Sequence, residues 1–360
     1  MDNTAETDHY VINKKIVFKG PFQLDYETVK LKAEPEDNDV LIRTQYSVIS
    51  PGTELALFTG THVGIPDPNN TFAKYPFYPG YTVVGEIVAV GKNVKGYAVG
   101  DKVYTVAKHA AYNVVPCNSK LVPLIKLPDD FPMEKGPFAK LGMICMTAIV
   151  QSQIAVNDTV VVIGLGRIGN ISAQRYSIMG ANVIGVDLVG KRVEIAHQAG
   201  IDHVLLAGDG LDLKEKVKEI TGGREADIVV EATGSPQQVT PALDLVRQLG
   251  QVIALGSTRG TVDFNVYEYI QRKGVRFIGA YEGLATLDGF PSREMLTRHV
   301  FKLISRGALK IDPLITHKLP AEEAARAYDM LLNHKDQALG VLFNWEYETG
   351  DSTLQEVRKR

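Results

Sequence analysis

The pattern of apolar and polar positions changes character near residue 150. Before it, short β-rich runs such as Val40-Leu41-Ile42-Arg43-Thr44 and Val83–Val90 are separated by turns of Gly, Pro and Asn. This predicts a mainly β domain over residues 1–150, with an irregular Pro- and Asn-rich loop from Gly60 to Pro79. Beyond it, short apolar strands alternate with helix-length segments. The predicted strands are Val160–Ile163, Asn182–Val186, His203–Leu206, Asp227–Val230, Gln251–Leu255 and Val275–Ile278. Strands of this kind joined by helices predict an α/β domain over 151–290, built on a doubly wound parallel sheet. Two amphipathic patterns, Arg293–Arg306 and Ala321–Asn333, precede a strand-like Ala338–Phe343. They predict that residues 291–360 leave the α/β domain and return to the first.

The first strand of the α/β region runs directly into Gly164-Leu165-Gly166-Arg167-Ile168-Gly169, and a helix-compatible stretch, Asn170–Met179, follows. In this setting G-x-G-x-x-G reads as a dinucleotide fingerprint. Gly164 allows the tight turn, Gly166 lets backbone amides approach a pyrophosphate, and Gly169 lets the helix pack on the strand. Arg167 and Ile168 supply the first helical turn. A second strand ends at Asp187, where a carboxylate receives the ribose diol of NAD and repels the 2′-phosphate of NADP. Lys191 and Arg192 admit the opposite reading, a phosphate pocket; otherwise they lie on the next helix and touch the 3′-hydroxyl or solvent. Thr233-Gly234 and Leu255-Gly256-Ser257 fall at later strand ends, where backbone groups are expected to hold the nicotinamide.

Composition narrows the class further. The 360 residues are 45% hydrophobic and 22% charged, with a formal net charge of −3, which disfavours nucleic acid or an anionic membrane as the main partner. No apolar run approaches the roughly 20 residues of a membrane span. The start, Met1–Asp8, lacks the basic and apolar character of a signal peptide, so a cytoplasmic enzyme with a small-molecule substrate is expected. Cys117 and Cys145 are the only cysteines, too few for a four-cysteine zinc lobe.

Taken together, Gly52-Thr53-Glu54-Leu55, Pro79-Gly80-Tyr81, Gly85–Gly91, Gly100-Asp101-Lys102-Val103 and the fingerprint resemble the medium-chain dehydrogenase/reductase superfamily, the zinc alcohol dehydrogenase relatives. The resemblance spans nearly the whole chain. It implies a Rossmann domain beside a GroES-like catalytic domain, an NAD(P)-dependent oxidoreductase acting on CH–OH groups, and a homodimer. Val262–Val266 and Val275–Ala280 are β-prone segments suited to extending the sheet across a two-fold axis. The zinc ligands implied by the family are missing. Pro51 stands in the cysteine slot, Tyr81-Thr82 replaces the histidine–glutamate pair, and the third slot falls near Met143. The strings around Pro51 and Tyr81 are locally similar to bacteriochlorophyllide-type dehydrogenases, a metal-poor branch.

Without a Lewis acid, hydride transfer needs a hydrogen-bond donor or a general acid/base. The resemblance points to Thr53 as the hydroxyl that relays the substrate proton; the alternative is a turn residue that caps a helix. His109 has the titration range for acid/base work, or is structural. Tyr81 donates to a carbonyl oxygen, or fills vacated volume. Glu54 is structural, or a base. A non-standard metal on His62, His109 and Glu54 has no recognisable spacing. The expected function is zinc-independent, NAD-dependent interconversion of a secondary alcohol and a ketone on a polyol, sugar or similar metabolite. The alternatives are a zinc-free NAD(P)H quinone or enone reductase, and an NAD-binding protein without turnover.

Overall fold

A computed structural model of the protein describes residues 9–119, 121–208, 210–346 and 355–356; Met1–Asp8 lie outside them. The chain divides into two compact units, residues 1–137 with 317–360, and residues 138–316.

In the first unit, β1 (His9–Gly20) and β2 (Gln23–Lys32) form an antiparallel pair. Next comes β3 (Asp39–Val48), then a π-turn over Pro51–Leu55 that runs into the single turn α1 (Ala56–Phe58). β4 (Val83–Val90), β5 (Lys102–Thr105), β6 (Tyr112–Pro116) and β7 (Ile125–Lys126) follow. Alternation along β3 decides the packing. Val40 and Ile42 join Ile87, Val103, Val115 and Leu124 in one core, while Leu41 joins Ile16, Phe18, Tyr328, Phe343 and Trp345 in another. Successive side chains of a strand point to opposite faces, so β3 divides two cores. The stretch 60–79 contains no helix or strand, as its composition predicts.

The second unit opens with α2 (Ala139–Gln151) and continues β8 (Thr159–Ile163), α3 (Arg167–Ile178), β9 (Asn182–Asp187) and α4 (Gly190–Gln198). Then come β10 (His203–Leu206), α5 (Leu213–Thr221), β11 (Ala226–Glu231), α6 (Val239–Leu245), β12 (Val246–Ala254), β13 (Arg276–Gly279) and α7 (Arg293–Ser305). The sheet order is β10-β9-β8-β11-β12-β13 and every pairing is parallel. All five residues of β8 are buried, because helices cover both faces of a parallel sheet. The chain then returns through β14 (Ile315–Pro320), α8 (Ala324–Asn333) and β15 (Gly340–Asn344), and β16 (Gln355–Glu356) pairs with β1.

Two expectations differ from what is observed. The units divide at 137/138 and 316/317 rather than at 150 and 290. α2 and α7 pack on one another, with Val300 against Gly142, and α2 also packs on α3, so both helices stay with the α/β unit. Val262–Val266 is not a strand: Val262 and Phe264 turn inward onto the core of the α/β unit, and the backbone goes on into a π-turn, Tyr267–Arg272. Two partly buried apolar side chains, rather than ladder pairing, anchor that segment.

Candidate active site

In the α/β unit, the crossing of β8 and α3 explains each glycine of the fingerprint. Gly164 has φ +91°, and a Cβ there would meet the Thr233 methyl at 2.7 Å. At Gly169 a Cβ would fall 1.7 Å from the Gly164 carbonyl oxygen, so helix and strand touch backbone to backbone. Gly166 is the N-cap of α3 and a Cβ there would meet nothing within 4 Å. That open space lies before a first helical turn, Arg167-Ile168-Gly169, whose amides and dipole suit an anion.

Asp187 is buried at the end of β9. Its Oδ2 accepts from the Leu165 amide at 2.7 Å and its Oδ1 from Val189 at 2.8 Å. Arg192 Nη1 stands 3.5 Å from Oδ2, beside the carboxylate. The aspartate therefore ties the glycine loop to the second strand, and lone pairs remain for a ribose hydroxyl. The two loops carrying Thr233-Gly234 and Leu255-Gly256-Ser257 lie against each other: a Cβ on Gly256 would lie 2.3 Å from the Gly234 nitrogen, and one on Gly234 3.2 Å from the Ser257 carbonyl oxygen.

The group that organises these loops, Glu231, was missed by sequence reasoning. It is 0% exposed at the end of β11. Its Oε1 accepts from the Thr233 amide at 2.7 Å, from the Thr233 hydroxyl, and from the Gly234 amide at 3.1 Å. Its Oε2 accepts from the Thr258 hydroxyl at 3.0 Å. The available signal was an acidic residue closing the apolar run Ile228-Val229-Val230.

In the first unit, Glu54 and His109 meet in a dry network. His109 Nε2 lies 3.1 Å from Glu54 Oε2, and His109 Nδ1 lies 2.7 Å from Ser47 Oγ. Tyr328 donates its hydroxyl to Glu54 Oε2 at 2.5 Å, the Ser50 amide donates to Oε1 at 2.8 Å, and Trp345 Nε1 donates to Ser47 Oγ at 2.9 Å. A carboxylate only accepts, so His109 presents Nε2–H to it, and Ser47 is able to donate to Nδ1. Of the two readings of His109, acid/base group or structural residue, this setting matches the structural one. Its ring is 0% exposed, stacked edge-on to Phe343, with both nitrogens engaged. Glu54, 3% exposed, is likewise turned inward to hold the π-turn. Thr53 lies on that π-turn and is half-buried. Pro79-Gly80 abuts the same histidine: the His109 amide donates to the Pro79 carbonyl at 2.9 Å, and Gly80 has φ +100° where a Cβ would strike that amide. Tyr81, half-buried, follows directly. Ser47, Tyr328 and Trp345 were not foreseen, because they arrive from β3, α8 and the end of β15, far apart in the chain.

The side chains in the family's zinc slots do not fit that ion. Proline offers no donor, and a phenol and a thioether are poor ligands. Among the described residues, no group of three or more His, Cys, Asp or Glu side chains is placed to hold a metal. His62 Nδ1 accepts from the Gly64 amide, and His109 and Glu54 are bonded to each other.

A GroES-like β unit, an α/β unit with a dinucleotide fingerprint and a returning C-terminus define a two-unit oxidoreductase using a nicotinamide dinucleotide. Two family models match, one described as an alcohol dehydrogenase GroES-like domain over residues 36–156 and one as a zinc-binding dehydrogenase over residues 168–295. The chain belongs to the medium-chain dehydrogenase/reductase superfamily. It is 24% identical to D-xylulose reductase of Saccharomyces cerevisiae over 351 residues, covering 89% of this chain and 94% of that one. It is 27% identical to D-guloside 3-dehydrogenase of Escherichia coli over 361 residues, covering 92% of this chain and all of the other. Its fold matches that of galactitol-1-phosphate dehydrogenase from Escherichia coli with a TM-score of 0.77 at 20% identity, over 92% of this chain and 99% of that one. No helix among the described residues is long and apolar enough to cross a membrane.

Proposed function

We propose that the protein is an NAD-dependent, zinc-independent dehydrogenase that interconverts a secondary alcohol of a polyol or sugar and the corresponding ketone. The reading rests above all on the open N-terminus of α3 between Gly164 and Gly169, with Asp187 fastened beside it. Gly166, Arg167 and Ile168 would hold the pyrophosphate, Asp187 and Arg192 the adenosine ribose, and Thr233 with Leu255, Gly256 and Ser257 the nicotinamide end. Bound NAD supplies a hydride acceptor. A buried carboxylate at the ribose position favours NAD over NADP, since a 2′-phosphate would meet it charge to charge. The polyol or sugar class is supported by what the relatives are named for. Zinc independence is supported by the donor set, Pro51, Tyr81 and Met143.

On the catalytic side, the hydroxyls of Thr53 and Tyr81 are assigned to the substrate oxygen. Glu54 and His109 act one layer behind: the carboxylate clamps the Ser50 amide, which sets the π-turn that presents Thr53. A cytoplasmic homodimer belongs to the same proposal; β13 ends the sheet order, so its outer edge offers a strand for two-fold pairing.

The test is turnover of a polyol and sugar panel with NAD and with NADP, before and after exhaustive chelation, alongside the metal content of the purified protein. Oxidation with NAD that survives chelation is expected. Stoichiometric zinc whose removal abolishes turnover would overturn the metal-free mechanism. Reduction of quinones or enones by NADPH alone would shift the reading to a reductase, and NAD binding without any turnover to an inert binder.

A further inference from the structure

Among the described residues, Lys140 is the only buried lysine, 5% exposed. It is the second residue of α2, and its Nζ is ion-paired with Glu282 Oε2. Glu282 begins the short 3-10 turn Glu282–Thr286 just after β13, so the pair sits at the carboxyl edge of the parallel sheet, the ligand-binding edge in such folds.

Almost everything local opposes a cation here. Burial strips the ammonium of water. The first turn of α2 carries the positive end of the helix dipole. Arg293, at the start of α7, adds a second positive charge, and Glu282 alone favours the protonated amine. The net result is a lysine held below its ordinary range, with burial as the largest cause. A structural role does not need this arrangement. The flanking Ala139 and Leu141 are buried and apolar, and an apolar residue of similar volume is often as stabilising as a buried ion pair. A buried amine ion-paired at the ligand edge of the sheet is a kind of group that active sites use.

The inference builds on the metal-free alcohol dehydrogenase reading, which assigns hydrogen-bonding hydroxyls to the substrate oxygen but no base to take up its proton. We infer that Lys140 Nζ exchanges that proton, with Glu282 holding the amine in place. In oxidation the alcohol O–H bond breaks and its proton joins the neutral amine, giving an ammonium. The carbinol hydrogen leaves with its electron pair as hydride to the oxidised dinucleotide, and the C=O bond forms. In reduction the ammonium donates to the carbonyl oxygen and returns the proton as hydride arrives at carbon.

The experiment uses the full chain and a substrate turned over by the wild type in chelator. Oxidative kcat should rise with pH through a midpoint below the ordinary lysine value of about 10.4. NMR titration of the lysine side chains should show an amine with the same midpoint, whose signal is lost in K140R. K140R keeps a cation opposite Glu282 but does not deprotonate. K140R and K140M should each lose about 10²–10⁴-fold in kcat, the usual contribution of acid/base catalysis. NADH affinity should stay within about threefold of wild type, because no dinucleotide contact is removed. E282Q removes the partner that favours the ammonium, so its midpoint should move to lower pH. A kcat for K140R or K140M within about fivefold of wild type, or an unchanged pH limb in K140M, would overturn the role of Lys140 alone. Loss of wild-type turnover in chelator would instead overturn the metal-free reading on which it rests.

Discussion

Replacing Glu54 separates a carboxylate that organises a network from one that merely fills space. Glu54 accepts three hydrogen bonds, from the Ser50 amide, His109 Nε2 and the Tyr328 hydroxyl. In Glu54→Gln the amide oxygen stays on the Ser50 amide, and the NH₂ group faces the other two. Both of these partners adapt. The Tyr328 hydroxyl rotates to accept, and His109 moves its proton to Nδ1 and accepts at Nε2. The loss is then the charge-assisted part of the bonds, about 2 kcal/mol in all. Glu54→Leu leaves buried donors with no acceptor at about 1–3 kcal/mol each, roughly 5 kcal/mol together. Trp345 is the only tryptophan, is 0% exposed and bonds Ser47 in the same network, so its fluorescence reports unfolding of this unit. With a urea m-value of about 2 kcal/mol/M, the midpoint should fall by about 1 M for Gln and about 2.5 M for Leu. Nitrogen-15 NMR should show His109 protonated at Nε2 in the wild type and at Nδ1 in Glu54→Gln. Equal midpoints for the two variants, or an unchanged tautomer, would refute the reasoning.

Two further outcomes concern the dinucleotide side. Gly166→Ala places a Cβ in open space at an ordinary φ of −57°, so stability should stay within about 0.5 kcal/mol while NADH affinity falls at least tenfold. Gly169→Ala drives a Cβ to 1.7 Å from the Gly164 carbonyl oxygen and should cost about 3 kcal/mol as well as binding; calorimetry of both variants checks the contrast. Glu231→Ala deprives the Thr233 and Gly234 amides of their acceptor. It should cost about 3 kcal/mol and raise the NADH Kd at least tenfold, and an unchanged Kd would show that these loops do not shape the cofactor site.

Much of the fold was legible because it depends on local pattern. β4 and β10 lie where their apolar runs were read, at Val83–Val90 and His203–Leu206, and β9 ends on Asp187. The glycine fingerprint was legible for the same reason: the turn, the close approach and the helix packing each need the absence of one carbon at a fixed spacing. Val262–Val266 failed because its side chains turn inward as coil, a preference set by the core they meet.

The amino-acid sequence by itself thus determined the class of chemistry, a nicotinamide dinucleotide bound at a parallel sheet, through backbone requirements that are short in range. The tertiary structure alone decided which polar groups face one another. Ser47, Glu54, His109, Tyr328 and Trp345 come from strands, turns and a helix spread over almost 300 positions, and Lys140 and Glu282 are 142 apart. A buried histidine and an exposed one look identical in a string of letters. What separates them is desolvation and the partners that three-dimensional packing supplies. His109, open in the sequence to an acid/base or a structural reading, is by its partners a member of a dry network that holds Glu54 and the turn bearing Thr53.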